Sequence, residues 1–285
     1  MTLQDAREQA ADLGPKEAGH LIRHQDWNTL VSVLTTYGNS LDALTTDLAV
    51  LQIVEAPAEL EVMAYADSSE LAVGDPVMAI GNPLGLADTV TTGIVSALNR
   101  PVITEAVTTS PTAGQGDAVV TAAIQTNAAI NPGNSGGALV NASGELVGIT
   151  SAIATLASSS TDQTGNIGIG FAIASNQVRY VVDQLIANGY ADHPQIGVSA
   201  SDTTGPGLLG AEVTKVVSGS PAEQAGLKVG DLITAVNGDQ VTSTESLVAL
   251  VRAGEVGKEL KLTIVRAGSP QVVAVTPVAA PRRNG

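Results

Sequence analysis

From Leu30 onward the chain is cut into short apolar runs that stop at Gly, Asn, Pro, Ser or Asp. LVSVL, DLAVLQIV, PVMAI, GIVSAL, AVVTAAIQ, GALV, ELVGITSAI and IGIGFAI follow one another up to Ile173. Runs this short and this regularly punctuated read as strands of an all-β sandwich or barrel, and not as βαβ units. The polar stretches at 104–118 and 158–166 read as loops. Residues 3–25 carry an amphipathic helical pattern, bent near Gly14-Pro15, with nothing that reads as a strand. A second helical pattern covers 176–188, where Val178, Val181, Val182, Leu185 and Ile186 share one face. Ser175 is placed to cap its start and Gly189 to end it.

At 285 residues the chain is long enough for about two domains. Lys+Arg 13 against Asp+Glu 28 leaves a net charge of −15, which repels phosphate backbones. Trp27, Phe171 and 4 Tyr are too few aromatics for base-stacking platforms, so no nucleic-acid partner is expected. There is no cysteine, which removes disulfides, thiol catalysis and Cys-ligated zinc together. No cofactor and no metal site are expected. No apolar run approaches the roughly 20 residues that span a bilayer. The first residues lack the basic-then-apolar order of a signal peptide.

After YADHPQ at 190–195, which reads as a linker, the texture changes again. Ser220-Pro221-Ala222-Glu223 is a capping box with Pro at the first helical position, closed by Gly226. VGDLITAVNGDQV reads as two strands around an Asn237-Gly238 hairpin turn. Ser243 or Thr244 starts a helix with Leu247, Leu250 and Val251 on one face. KELKLTIVRAG reads as a final alternating strand, and APRRNG as a frayed tail.

The sharpest chemical feature is Asn131-Pro132-Gly133-Asn134-Ser135-Gly136-Gly137. A nucleophilic serine needs an exposed hydroxyl and backbone N–H groups aimed at a developing oxyanion, and flanking glycines let the backbone present both. A plain Gly-rich turn explains the heptapeptide equally well. Gly133-x-Ser135-x-Gly137 also fits a nucleophile elbow, but that motif needs a helix next. Here strand, turn and strand follow, and only His193 comes after Ser135. Upstream, Asp47 heads the run TDLAVL, where a carboxylate could orient an imidazole. Taken alone it is an ordinary acid at the start of a strand.

The combination is more specific. TDLAVL at 46–51, GDPVMAIGNPLGL at 74–86, TVTTGIVSALNR at 89–100, QTNAAINPGNSGGALVN at 125–141 and GNIGIGFAIASNQV at 165–178 resemble, in order and spacing, the HtrA (DegP/DegS-type) serine proteases. The wording GNPLGLADTV is most similar to actinobacterial members. SPAEQAGLKVGDLITAVNG resembles the PDZ domain that follows the protease in that family. The resemblance covers about 45–285. It implies a mainly β chain: a trypsin-like double β-barrel, its N-terminal lobe incomplete, followed by a PDZ domain. The bounds it implies are an atypical segment at 1–28, the protease domain at 29–189, a linker at 190–195, the PDZ domain at 196–279 and a tail at 280–285.

The resemblance also implies roles. Ser135 matches the nucleophile and Asp47 the triad acid. The N–H groups of Gly133 and Ser135 match the oxyanion hole. Ala129 matches the floor of the specificity pocket, and Ile169 and Gly170 its wall. A methyl group at 129 offers no counter-charge for Lys or Arg, which implies cleavage after small aliphatic residues. Ile196-Gly197-Val198 matches the loop that captures a C-terminal carboxylate. Implied partners are unfolded or misfolded proteins, peptide C-termini and further copies of the chain in a trimer, in an extracytoplasmic setting.

One expected element is missing from its place. The family carries its catalytic His in a TNxHVV-like segment ahead of the Asp, and at that spacing this chain has Glu17. His20 and His24 stand nearby in KEAGHLIRHQDW, without the motif. An unactivated Ser135 is a weak nucleophile, so proteolysis well below that of an intact relative is expected. Three readings stay open: an endopeptidase, a protease-dead PDZ adaptor or chaperone, and a fragment of an active parent with a mis-assigned start.

Overall fold

The computed structural model describes residues 47–51, 62–81, 89–104, 119–131, 133–153, 168–203 and 209–281. The helix expected at 3–25, the run LVSVL, most of both polar loops and His20 and His24 lie outside the described residues. The chain divides into two compact units, the first holding most of the chain up to Ala191 and the second Asp192–Gly285 together with the short pieces Asn99–Ile103 and Val120–Ala123.

The first unit is built on a closed barrel. Its strands are β1 (Pro76–Gly81), β2 (Thr89–Thr104), β3 (Val119–Thr126), β4 (Ala138–Asn141), β5 (Leu146–Ile153) and β6 (Gly170–Ala174). They close in the order β1-β2-β3-β6-β5-β4, with β4 returning antiparallel to β1. Closure removes every free edge. The interior holds Val77, Ala79, Val95, Ile124, Ala128, Ile130, Leu139, Val147 and Ala172, all buried. Branched and small side chains fill it, as the shortage of aromatics requires.

Two details differ from the sequence reading. Asp47–Leu51, read as the head of a strand, contains no strand, and Asp47 sits at φ 56. A residue in the left-handed region cannot continue an extended ladder. Helix α1 (Ser175–Asn188) starts one residue earlier than expected, with Ala174 at the cap position and no side-chain capping bond of its own. Ser175 is not the cap because its hydroxyl donates to the Ala66 carbonyl at 2.7 Å. The cap comes from far away in the chain: the Asn176 N–H donates to Ser68 Oγ at 3.1 Å, and Asn176 Nδ2 to Asp67 at 2.6 Å. Asp67 also accepts from the Ser69 hydroxyl and amide, and these bonds lower its carboxyl to about 2. Gly189 ends the helix in the left-handed region at φ 78, as its position predicted.

The second unit is a sheet covered by two helices. Its strands are β7 (Pro194–Gln195), β8 (Val198–Asp202), β9 (Ala211–Val216), β10 (Leu232–Val236), β11 (Asp239–Gln240), β12 (Leu260–Arg266), β13 (Ser269–Val275) and β14 (Val278–Ala279). The main sheet runs β13-β12-β10-β9-β8, leaving β8 at one edge. Helices α2 (Pro221–Gln224) and α3 (Thr244–Arg252) supply Ala222, Leu247, Leu250 and Val251 to a core with Ile233, Leu262 and Ile264. Ser220 caps α2, and Ser243 with Ser246 forms a capping box on α3. Glu223 completes the α2 box one residue early, accepting from the Gly219 N–H at 2.6 Å.

Here too the sequence reading needs correction. β12 is not the last strand. Ala267 and Gly268, at φ 47 and φ 78, turn the chain into β13, and Pro270 is tolerated because β13 is an edge strand. The expected linker at 190–195 is partly structured, because Pro194 and Gln195 pair with Ala279 and Val278. Ala280, expected in the tail, donates its N–H to the His193 carbonyl at 2.8 Å.

A bidentate ion pair pins this unit. Arg266 donates through Nε and Nη2 to the two Asp231 oxygens, both at 2.6 Å, and through Nη2 to the Gly226 carbonyl at 2.9 Å. Burial pushes the Asp231 carboxyl up. The Arg266 bonds, the Lys228 amide and both cationic charges together outweigh that and leave it lowered. A carboxyl lowered in the folded state contributes fully above its unfolded value of about 3.9, and loses that contribution as pH falls through the folded value. Asp231→Asn is therefore expected to unfold at lower urea than the parent at pH 7, with the gap closing as pH falls below the unfolded value of about 3.9. Ser68→Ala removes the remote cap of α1, and is expected to cost about 1 kcal/mol of stability in a urea titration of the full chain.

Candidate active site

The loop that carries Ser135 is set by the strands on either side of it. As the chain leaves β3, Thr126 Oγ1 donates to the Ile94 carbonyl at 2.8 Å and accepts from the Ala128 N–H at 3.1 Å. The Ile94 N–H donates to Asn127 Oδ1 at 2.8 Å. These bonds direct residues 128–131 along β2. The loop then meets β5: Gly136 N–H donates to the Thr150 carbonyl at 2.7 Å, and Thr150 N–H to the Gly137 carbonyl at 2.9 Å. Gly137 has no room for a side chain, since a Cβ would lie 2.2 Å from the Ile80 carbonyl oxygen.

Ser135 is exposed at the tip, while Asn134 beside it is buried at 2%. The Ser135 hydroxyl donates to the Ser151 carbonyl at 3.0 Å. The Ser151 hydroxyl in turn donates to Asp47 Oδ2. One residue of β5 thus links Ser135 and Asp47, which are far apart in the sequence. Asp47 is exposed by surface area, yet partial desolvation of its carboxyl raises it above its ordinary value, and the Ser151 hydrogen bond opposes that shift. Around the loop, the N–H groups of Asn134, Gly136 and Gly137 are all engaged. Those of Gly133 and Ser135 have no hydrogen-bond partner among the described residues.

Ala129 is exposed, and its carbonyl accepts from Thr91 Oγ1 at 2.9 Å and Asn134 Nδ2 at 3.4 Å. Gly170 lies under Ile130, whose Cδ1 would be 2.6 Å from any Cβ at 170. Ile169 is half-buried one residue before β6. Residues 129–130 and 169–170 are therefore neighbours beside the serine loop. His193 belongs to the second unit.

In the second unit Ile196 is buried at 4%, and Gly197 sits at φ 80. A Cβ at Gly197 would come within 2.4 Å of Ser220 Cβ, so only glycine lets this turn lie against α2. The Ile196 and Gly197 carbonyls accept from the Ala222 and Val217 N–H groups, both at 2.9 Å. Val198 begins β8, the edge strand. The far end of β8 is tied to α3 by Thr244 N–H donating to Asp202 Oδ1 at 2.6 Å.

Sequence reasoning passed over Ser151, Thr150 and Asn134. The first two had a visible signal: a hydroxyl pair interrupts the apolar run ELVGITSAI. That such a pair faces a loop from another part of the barrel depends on the β4–β5 register. Among the described residues no group of His, Asp and Glu could hold a metal ion.

Comparisons with known proteins agree with this two-unit architecture. The family described as "Trypsin-like peptidase domain" matches residues 5–149, and "PDZ domain" matches residues 194–276. The first match begins within the segment expected to be atypical. The chain is 47% identical over 234 residues to "Serine protease PepD" of Mycobacterium tuberculosis, covering 81% of this chain and 48% of the relative. It is 40% identical over 254 residues to "Periplasmic serine endoprotease DegP" of Escherichia coli, covering 84% of this chain and 50% of the relative. The chain thus spans about half the length of the curated relatives it matches. A solved structure described as "HtrA-type protease AlgW with tripeptide" is similar at 31% identity with a TM-score of 0.51, covering 81% of this chain and 73% of that one. With a β-barrel peptidase unit, a PDZ unit after it and these relatives, the chain belongs to the HtrA-type trypsin-like serine proteases that carry a C-terminal PDZ domain.

Proposed function

We propose that this chain acts as a serine endopeptidase of protein quality control, cleaving unfolded or misfolded proteins after small aliphatic residues. The observation that carries the reading is the Ser151 link, which holds Ser135 and Asp47 on one residue of β5. In this proposal Ser135 attacks the scissile carbonyl. Asp47 orients and stabilises an imidazolium, and the N–H groups of Gly133 and Ser135 receive the oxyanion. Ala129, Ile169 and Gly170 form a shallow, neutral pocket for the residue before the cut. The base is the open part of this proposal: His20 is first in order and His24 next, and neither stands in the family's motif.

The second unit holds a substrate or regulatory C-terminus by adding it to the β8 edge. Ile196-Gly197-Val198 faces the carboxylate and α3 flanks the peptide. The proposed domains are 29–189 for the protease and 196–279 for the PDZ domain. Two of the relatives above are named as a periplasmic endoprotease and an HtrA-type protease with tripeptide, which supports an extracytoplasmic site of action and peptide binding. Among the described residues no helix is long and apolar enough to cross a membrane. Assembly into a trimer is part of the same proposal.

The test is a paired assay on the full chain, measuring β-casein cleavage and titrating a fluorescent peptide with an apolar C-terminal residue. Ser135→Ala is expected to abolish cleavage and leave peptide binding unchanged. Asp47→Asn is expected to lower kcat about 10⁴-fold. It should not lower stability at pH 7. A carboxyl raised in the folded state costs stability above its folded pKa, and that cost disappears as pH falls through it. Robust cleavage that is lost in His20→Ala, by a factor comparable to Asp47→Asn, makes His20 the base and overturns the expectation of weak proteolysis. Cleavage that survives His20→Ala and is lost in His24→Ala moves the base to His24. A parent chain that binds peptide and cleaves nothing overturns the endopeptidase reading and leaves a PDZ adaptor. The peptide affinity of Gly197→Val, in which a side chain would meet Ser220, is expected to fall at least tenfold.

A further inference from the structure

Thr150 is buried at 1% on the barrel side of the serine loop, one residue before Ser151. Its backbone accounts for two bonds to the loop: its carbonyl accepts from Gly136 N–H, and its N–H donates to the Gly137 carbonyl. Its hydroxyl reaches further. Oγ1 donates to the Asn134 carbonyl, and lies 3.1 Å from the Gly137 carbonyl, which already has the Thr150 N–H. The Asn134 carbonyl also accepts from Gly137 N–H at 2.9 Å. That oxygen is therefore held from two directions inside the loop.

A trans peptide is planar, and its carbonyl and N–H point in opposite directions. Among the described residues no peptide bond is cis. The partner of the Asn134 carbonyl across its peptide is the Ser135 N–H. With the carbonyl drawn inward by Thr150, the Ser135 N–H must face outward, where it has no partner among the described residues. A rotation of that peptide plane would bury the donor and expose the carbonyl, turning an attractive site for negative charge into a repulsive one.

We propose that Thr150 is a positioning residue for the oxyanion site: its hydroxyl locks the 134–135 peptide plane so that the Ser135 N–H is presented to the substrate. This rests on the serine-endopeptidase reading above. Thr150 itself touches no reacting atom. The hydroxyl works because it sits in the barrel wall, where water does not compete for the Asn134 carbonyl. Gly137 alone leaves the plane held by a single bond within a Gly-rich turn, which rotates easily.

The test compares Thr150→Val with Thr150→Ser in the full chain. Valine keeps the branched shape and removes the donor; serine keeps the donor and removes a methyl group. Losing one oxyanion donor typically costs 10²–10³ in kcat, and a donor misaligned for part of the time costs less. Thr150→Val is expected to lower kcat about 10–100-fold with KM changed less than about twofold, because the lost interaction is made only in the transition state. The affinity of a peptide boronate, whose oxygens occupy the oxyanion position, should fall by a similar factor. Binding of the corresponding product peptide should hold. Thr150→Ser should recover most of both losses, and thermal unfolding identifies a variant that has merely lost its fold. Thr150→Val with kcat and boronate affinity within twofold of the parent overturns the proposal. Should the parent neither cleave nor bind the boronate, the endopeptidase reading falls. Crystal structures of the two variants then decide the clamp by themselves: a 134–135 plane that stays in place in Thr150→Val overturns it, and one that rotates in Val but not Ser upholds it.

Discussion

The register between the serine loop and β5 is the constraint on which the rest of the first unit depends. Residues 134–137 and 150–151 are joined by backbone bonds in both directions, by the Thr150 hydroxyl and by the Ser135 hydroxyl. A slip of one residue would point Thr150 away from the loop and turn Ser151 inward, because side chains alternate along a strand. The slip is resisted by burial on both neighbours. Leu139 and Val147 are fully enclosed in the barrel, so the apolar pattern and the polar joint enforce the same pairing.

The barrel serves the site by being closed and filled. Its interior is made of Val, Ile, Leu and Ala, which have no polar atoms to satisfy. The hydrogen-bonding capacity of the region is concentrated where the loop crosses it. Thr126, Asn127, Asn134 and Thr150 each spend a side-chain polar atom on backbone groups near the site. Asn134 Oδ1 is left buried without a partner among the described residues. The resulting frame holds Ser135 at the surface without a rigid helix beneath it.

Carboxylates in the two units are treated in opposite ways. Asp231 is buried against a bidentate arginine and ends up lowered, which suits an anion whose task is to hold a sheet together. Asp47 is exposed by surface area but raised by partial desolvation of its carboxyl, with one serine hydroxyl opposing the shift. An acid left in that condition gains from a cationic neighbour, which is what an imidazolium would supply. The chain's net charge of −15 says nothing about either environment, since local partners decide both.

Much of this was legible along the chain. The punctuated apolar runs predicted strands, and PVMAI, AVVTAAIQ and GALV became β1, β3 and β4. The Asn237-Gly238 turn, the Ser243 cap and the Gly189 stop are local chemistry, decided by residues within a few positions of each other. The motif around Ser135 was equally visible, because it needs only glycines in sequence. Other features were not. Ser175 has the sequence position of a cap, yet a residue 109 positions away claims its hydroxyl. β13 was hidden by Pro270, which is acceptable only once the strand lies at an edge. Thr150 and Ser151 looked like interruptions of a strand. Sequence by itself determined most of the strands, the local turns and the identity of the exposed serine, because those follow from periodicity and backbone preference over short spans. Only the tertiary structure decided that Asp47, Ser135, Thr150 and Ser151 meet, because that meeting depends on barrel closure and strand register, which no local pattern encodes.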